Sequence, residues 1–390
     1  MCDASRERRA AREAAVQEGR TAGGTAPRVL TVVGARPQFV KAAVVSLAIR
    51  SRGIRERILH TGQHYDPEMS EVFFRQMGIP REDHQLGVGS GTHGEQTARV
   101  ILGVERVLME EPADAVLVFG DTNSTVAGAL AAAKLHVPVA HVEAGMRSFN
   151  RRMPEELNRV VTDHLATWHY CSTPVAEENL RREGIREGIV RTGDVMADAV
   201  MTFAPRAPFP PPGVPAPPGP FGVVTCHRAE NTDDPDRLEA ILEGLARAAR
   251  RVPLWFPMHP RTRERLGALG RTLPPGVAGL PAVPYLEMLG MISRAAVVVT
   301  DSGGIQKEAY LLGVPCVTLR EETEWVESVR QGANRLAGAD ADRIEAAVGQ
   351  ALDQGPLAAD RPSLYGDGRA AERVADHLAS VLGTGGAWSS

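Results

Sequence analysis

Between residues 121 and 159 the chain carries Asp121, Glu143, Arg147, Glu155 and Arg159, three carboxylates and two guanidinium groups. These are the residue types a site needs when it takes a proton from one face of a substrate and returns it on the other. Asp121 and Glu143 lie just beyond two apolar runs, Ala115 to Phe119 and Val137 to Ala140. In open α/β sheets ligands sit outside the carboxyl ends of the strands, so the set has one plausible address. Each member also has a plainer reading: Asp121 as a helix cap, Glu143 as a partner of Arg147, Glu155 as one of a solvated pair.

A second chemistry is phosphate binding. In VVVTDSGGIQKEAYLLGVP, Val297 to Pro315, an apolar strand runs into Asp301 and Ser302, and Gly303 and Gly304 open a helix. Free amides and the dipole at such a helix start favour a phosphate, Ser302 is placed to cap it, and Glu308 can accept hydrogen bonds from ribose hydroxyls. The alternative is a capped helix with glycines for close packing. GARPQFVK, Gly34 to Lys41, repeats the strand-to-helix pattern, with Pro37 suited to a first helical turn and Arg36 able to reach a diphosphate through its guanidinium fork. TCHRAEN and MHPRTR put His227 with Arg228, and His259 with Arg261, just past two further strands. His60 and His64 have metal-like spacing, but Gly62 between them argues against a helix, and no zinc site is expected. The chain has no GxxxxGK loop, and the glycines at 87, 89 and 91 lack the third glycine of GxGxxG and follow no convincing strand.

The elements that must position these residues alternate as strand, turn and helix from Arg28 onward, which implies parallel sheets with right-handed crossovers. At 390 residues two domains are expected, because single cores stop growing at about 250 to 300 residues. APRAPFPPPGVPAPPGP marks the boundary as a semi-rigid connector, giving a Rossmann-like domain over 27–200, a linker over 201–220 and a second Rossmann-like domain over 221–367. An amphipathic helix over 368–384 ends the ordered chain, and residues 1–26 read as a disordered tail. Expected helices include one near Pro67 to Met77, one over Pro235 to Arg251 and one over Arg261 to Leu269.

A net charge of -4 argues against nucleic acid. No apolar run has the length of a membrane span or the character of a signal segment. Four scattered cysteines read as reduced thiols of a cytoplasmic protein. Lysine occurs only at 41, 134 and 307 in a chain whose other cations are arginine; Lys41 and Lys307 sit inside motifs and Lys134 does not.

GARPQFVK, TGQHYD, GDTNST, HVEAGMRS, MPEELNR, HRAEN, HPRTR and TDSGGIQKEA follow one another in an order that resembles the non-hydrolysing UDP-N-acetylglucosamine 2-epimerases, from about Arg28 to Leu382. The resemblance implies an α/β chain of two Rossmann-like domains of the GT-B type, with the ligand in the interdomain cleft, the last helix crossing back to the first domain, and a homodimer. It implies an isomerase that needs no metal or redox cofactor. UDP is eliminated from the sugar to give a 2-acetamidoglucal and re-added with inversion at C2, interconverting UDP-GlcNAc and UDP-ManNAc. By motif match, Arg36, His227, Ser302, Gly303, Gly304 and Glu308 would hold UDP, and Asp121, Glu143 and Glu155 would move protons, with His227 also placed at the reacting centre. Arg147 and Arg159 would orient the carboxylates or the sugar, and Lys41 would support the site near Asp121. Gln63 and His64 match part of the family's activator site, but residues 87–96 hold no arginine, so activation by substrate is not expected. GTHG, SFNRRMPEE and TEWVE are similar to members acting on UDP-2,3-diacetamido-2,3-dideoxyglucuronate, whose carboxylate Arg151 or Arg152 would meet. A GT-B glycosyltransferase would share the UDP site but need an acceptor groove.

Overall fold

A computed structural model describes residues 26–63, 77–78 and 81–383. The tail expected over 1–26 (save Ala26), the helix expected near Pro67 to Met77 (save Met77) and His64 lie outside the described residues. Among the described residues seven strands form the first sheet: β1 (Arg28–Val33), β2 (Arg55–His60), β3 (His84–Gln85), β4 (Ala115–Phe119), β5 (Val139–Ala144), β6 (Trp168–Cys171) and β7 (Ile189–Arg191), in the order β3-β2-β1-β4-β5-β6-β7. Six form the second: β8 (Gly222–Thr225), β9 (Leu254–Pro257), β10 (Val277–Leu280), β11 (Val297–Thr300), β12 (Cys316–Thr318) and β13 (Asn334–Leu336), in the order β10-β9-β8-β11-β12-β13. Among the described residues every pairing is parallel. The expected α/β architecture is therefore present, and in both sheets the order in which strands are added reverses at the centre, between β1 and β4 and between β8 and β11.

Sheets covered by helices on both faces are built from continuous apolar strands, and β4, AVLVF, is fully buried along its whole length. On one face the helix Arg36–Ser51 and the last helix, Ala370–Gly383, share a core with β1 and β4 through Phe39, Val45, Ile49, Val374 and Leu378. On the other, the helices His93–Glu110 and Asn123–Lys134 cover β1 and β4. The second of these is rich in Ala and Gly because it lies close to the sheet: a Cβ on Gly128 would stand 3.3 Å from Val32 and 3.4 Å from Val118.

The last helix returns to the first sheet after the second is complete. Asp198, on the helix Val195–Phe203, accepts from the amides of Ala370 (3.1 Å) and Ala371 (2.7 Å), capping that helix from a distant point of the chain. Arg52 and Asp376 add an exposed pair at 2.7 Å. Between 204 and 221 the proline-rich stretch holds a 3-10 turn, Ala204–Arg206, and no α-helix or strand.

Several boundaries differ from the sequence reading. The apolar run at Val137 to Ala140 is a strand that starts at Val139 and continues through Glu143 to Ala144. The helices expected over Pro235 to Arg251 and Arg261 to Leu269 are Pro235–Ala248 and Pro260–Ala268. The glycine run at 87 to 91 does follow a strand, the two-residue β3, and leads to Thr92, whose hydroxyl accepts from Glu95 N to start the helix His93–Glu110.

Candidate active site at the carboxyl ends of two sheets

Glu143 stands at a bulge. The register between β5 and β6 shifts between Val142 and Ala144, and Glu143 itself has φ 72°, a left-handed conformation that few non-glycine residues adopt. Strain of this kind persists only where the surroundings over-determine it. Asp163 supplies that: its carboxylate meets His141 Nδ1 at 2.7 Å, Gly145 N at 3.0 Å and Arg147 Nη1 at 2.7 Å, while His141 Nε2 lies 2.7 Å from Gly120 O. Burial pushes the Asp163 carboxyl up, but His141 and Arg147 outweigh it and hold it at about 2.

The bulge delivers the Glu143 carboxylate to two ammonium groups, Lys41 Nζ at 2.7 Å and Lys307 Nζ at 2.8 Å. Burial would raise this carboxyl, yet Lys307 and Lys41 together bring it down to about 2, so it is ionised. Gly120, before Asp121, closes the other side: a Cβ there would lie 3.4 Å from Lys41 Nζ and 3.8 Å from Glu143 Oε1. The strand ends that carry Asp121 and Glu143 are thus in contact.

Asp121 pairs with Arg159 Nη2 at 2.5 Å, and its backbone carbonyl accepts from Asn158. Arg159 is buried and also meets Glu156 (2.8 Å) and Glu324 (3.1 Å), and Glu324 in turn binds Arg320 at 3.0 Å. Glu324 and Arg320 belong to the half of the chain that builds the second sheet, so a buried charge network crosses between the halves beside Asp121. Burial raises the Glu324 carboxyl, but Arg159 and Arg320 hold it well below the usual carboxylate range.

From the second half comes the helix Gly303–Leu311. Its first turn is half-exposed and leaves amides without intrahelical partners, as any helix start does. Ser302 is its N-cap but makes no side-chain cap bond; instead its own amide donates to Thr300 Oγ1 at 2.9 Å. The expected capping role is therefore corrected, and the helix start is left open to an external acceptor. Beneath it Asp301, fully buried, accepts at Oδ2 from the amides of His227 and Arg228 (both 2.9 Å) and lies 3.2 Å from His227 Nδ1 through Oδ1. His227 is thereby aimed by the strand end of β11 while its ring stays 42% exposed. Glu308, 4% exposed, has its carboxyl raised by burial to about 7, with Lys307 pulling the other way.

The remaining expected residues fall as follows. Glu155 is half-exposed in the first turn of the helix Pro154–Leu165, whereas its neighbour Glu156 is locked by Ser148 N (2.9 Å), Phe149 N (2.9 Å) and Arg159. Arg147 is turned away from Glu143: its guanidinium is consumed by Asp163 and Glu183, each at 2.7 Å. Lys41, expected to support the site near Asp121, reaches Glu143 as its ion-pair partner beside Gly120, the residue before Asp121. The GARPQ turn is satisfied internally, since Gln38 Oε1 accepts from Gly34 N (2.7 Å) and Ala35 N (3.0 Å); the side chain of Arg36 lies outside the described residues. Gln63 is spent on Ser124, accepting from its amide at 3.1 Å and its hydroxyl at 2.7 Å. His259 accepts from Arg261 N at 3.2 Å as a helix cap, and Arg261 pairs with Asp233.

Sequence reasoning did not assign a site role to Lys307, Asp301, Glu324, Arg320 or Asp163. For Lys307 a signal existed in the scarcity of lysine. Asp301 and Glu324 lie inside motifs the sequence singled out, TDSGG and TEWVE, without a role assigned to them, and Arg320 and Asp163 sit where a charged residue reads as ordinary surface.

A family model described as UDP-N-acetylglucosamine 2-epimerase matches residues 47–379. The UDP-2,3-diacetamido-2,3-dideoxy-D-glucuronate 2-epimerase of Pseudomonas aeruginosa is 50% identical over 359 residues, covering 91% of this chain and 100% of that protein. The UDP-N-acetylglucosamine 2-epimerase of Methanocaldococcus jannaschii is 38% identical over 358 residues, 88% of this chain and 96% of its own. The crystal structure of Methanocaldococcus jannaschii UDP-GlcNAc 2-epimerase in complex with UDP-GlcNAc and UDP superposes with a TM-score of 0.84 at 37% identity, over 90% of this chain and 99% of that one. The two parallel sheets joined across a cleft are the GT-B arrangement these proteins share.

Proposed function

The chain belongs to the UDP-N-acetylglucosamine 2-epimerase family, and we propose that it inverts C2 of a UDP-linked 2-acetamido sugar held between its two sheets, without releasing free sugar. The observation that carries this reading is Glu143, on the strand beside the one that leads to Asp121, held at 2.8 Å by Lys307 of the helix whose phosphate-type start is at Ser302. A carboxylate takes the C2 proton as the C1–O bond to UDP breaks, which leaves a 2-acetamidoglucal and UDP. UDP then re-forms the C1–O bond while C2 receives a proton on the opposite face. Asp121, Glu143 and Glu155 serve these transfers. Arg36, His227, Ser302, Gly303, Gly304 and Glu308 hold UDP through each half-reaction, which is necessary because the leaving group must return.

Arg159 fixes Asp121, and Arg147 acts from beneath the site through Asp163 rather than on the sugar. The chemistry calls for neither a metal nor a redox carrier, and the protein works as a homodimer in the cytoplasm.

For the sugar, UDP-2,3-diacetamido-2,3-dideoxyglucuronate is the preferred reading. It is supported by 50% identity over the whole of the Pseudomonas aeruginosa relative, against 38% for the Methanocaldococcus jannaschii UDP-GlcNAc 2-epimerase. Arg151 and Arg152, exposed at the turn before the helix Pro154–Leu165, are the partners this reading assigns to the carboxylate of that sugar. UDP-GlcNAc is the second reading, favoured by the fold shared with its 2-epimerases. Comparing kcat/KM for the two nucleotide sugars tests the choice. A preference for UDP-GlcNAc would reverse it, and free sugar as product, or transfer to an acceptor, would overturn the epimerase reading.

A further inference from the structure

Two of the three lysines in the chain meet on one carboxylate, both within 2.8 Å of Glu143 Oε2. Lys307 does more than Lys41: its ammonium also lies 2.6 Å from Asp194 Oδ2 and 3.9 Å from the centre of the Trp325 ring, and the residue is 1% exposed. Glu143 and Asp194 belong to the first half of the chain, Lys307 and Trp325 to the second. Asp194 is also the N-cap of the helix Val195–Phe203, accepting from Met196 N at 2.8 Å, and that helix leads into the proline-rich connector. One ammonium therefore ties the strand end of β5, the helix at the phosphate site and the segment about which the halves are joined.

A guanidinium would not serve in its place. Three donors spread tetrahedrally on a compact head can face two carboxylates and an aromatic ring at once, whereas a planar fork cannot. Four charges, Glu143 and Asp194 against Lys41 and Lys307, balance in this buried space, with Glu308 beside Lys307 and with Asp198, Tyr285 and Tyr365 near Asp194 as further titratable groups. A buried ion pair is weak support for stability, since apolar residues of the same shape do as well, so its presence here points to a task.

Resting on the acid/base role of Glu143, we propose that Lys307 is a positioning residue for that carboxylate, seated between Glu143 and Asp194 only while the phosphate-site helix is packed against the first sheet. Opening the cleft withdraws Lys307, and closing it over substrate restores the aimed, ionised Glu143 together with the enclosed sugar. Without Lys307, burial acts against Lys41 alone and the Glu143 carboxyl rises towards the usual carboxylate range.

The test compares Lys307→Met, Lys307→Gln and Lys307→Arg with the wild type and with Glu143→Gln, following C2 deuterium exchange from pH 4 to 9 alongside UDP affinity. The two neutral variants are expected to lose about 10- to 100-fold in kcat with UDP affinity changed less than about threefold. Wild-type Glu143, held at about 2, puts no limb between pH 4 and 9; the neutral variants should bring one in from the acid side, whereas Lys307→Arg keeps the charge and shows none but, lacking the compact ammonium, also loses kcat. A loss of rate with no such limb in both neutral variants overturns the proposal and leaves Lys307 a packing residue. Exchange retained in Glu143→Gln instead defeats the acid/base reading itself.

A measurement on the wild type guards against misfolded variants. With only three lysines, amine-reactive labelling read by mass spectrometry should modify exposed Lys134 quickly, and Lys307 slowly and more slowly still with UDP bound. Labelling of Lys307 at the Lys134 rate in the presence of UDP also overturns the proposal.

Discussion

Glu308→Gln should stabilise the protein at pH 8 while weakening its hold on UDP. The Glu308 carboxyl has an ordinary value of 4.5, and burial raises it in the folded protein to about 7. The folded chain therefore holds this proton more tightly than the unfolded chain does. Its contribution to stability is most favourable below about pH 4.5 and declines as the pH rises towards 7, above which the whole cost of a buried carboxylate is present. At about 1.4 kcal/mol per pH unit, that gap is worth about 3 kcal/mol. Glutamine has the shape of the protonated acid and does not titrate. The two proteins should melt nearly alike at pH 5 and separate steadily to pH 8, where the variant should melt several degrees higher, at roughly 2 °C or more per kcal/mol. Thermal unfolding of both proteins across that range is the assay, with UDP titration beside it. A difference in melting that does not change with pH, or a variant that is less stable at pH 8, would refute the claim that Glu308 is held against its solvation preference.

Three further substitutions probe the scaffold under the site. Gly145→Ala places a Cβ 2.2 Å from Ala176 O at a residue with φ 77°, and strain plus overlap should cost about 3 kcal/mol, read as a lowered denaturant midpoint. Asp163→Asn leaves the buried Arg147 and His141 without their carboxylate and should cost about 3 to 5 kcal/mol; a variant as stable as wild type would show that the Glu143 bulge needs no such support. Asp301→Ala strips the acceptor from the His227 and Arg228 amides, costing about 1 to 3 kcal/mol for each group left unpaired, and calorimetry should show UDP binding weakened by about tenfold or more.

Much of the architecture was legible because buried parallel strands are written as unbroken apolar runs: AVLVF and VVVT needed no context to be recognised. The two-residue β3, His84–Gln85, carries no such signal, since its partner strand and not its own hydropathy makes it a strand. β5 extends four residues past its last expected position, Ala140, because a carboxylate at a bulge does not interrupt pairing on either side of it. Within the site, Asp121 and Glu143 could be read from their places after strands, but their partners could not. Arg147 is four residues from Glu143 in sequence, yet the bulge turns it to Asp163, while Lys307, 164 residues away, takes the place by Glu143. Ser302 reads as a cap by residue type, but the Thr300 hydroxyl already holds its amide, a contact that depends on β8 and β11 lying side by side.

The central claim, that Asp121 and Glu143 transfer the proton at C2, is tested most directly by NMR of the UDP-linked sugar incubated with protein in D2O. Wild-type protein should place deuterium at C2 as the epimer forms, with no free sugar. Asp121→Asn and Glu143→Gln should each lose that exchange while keeping UDP affinity. Deuterium appearing at C2 at the wild-type rate in both variants would contradict the account.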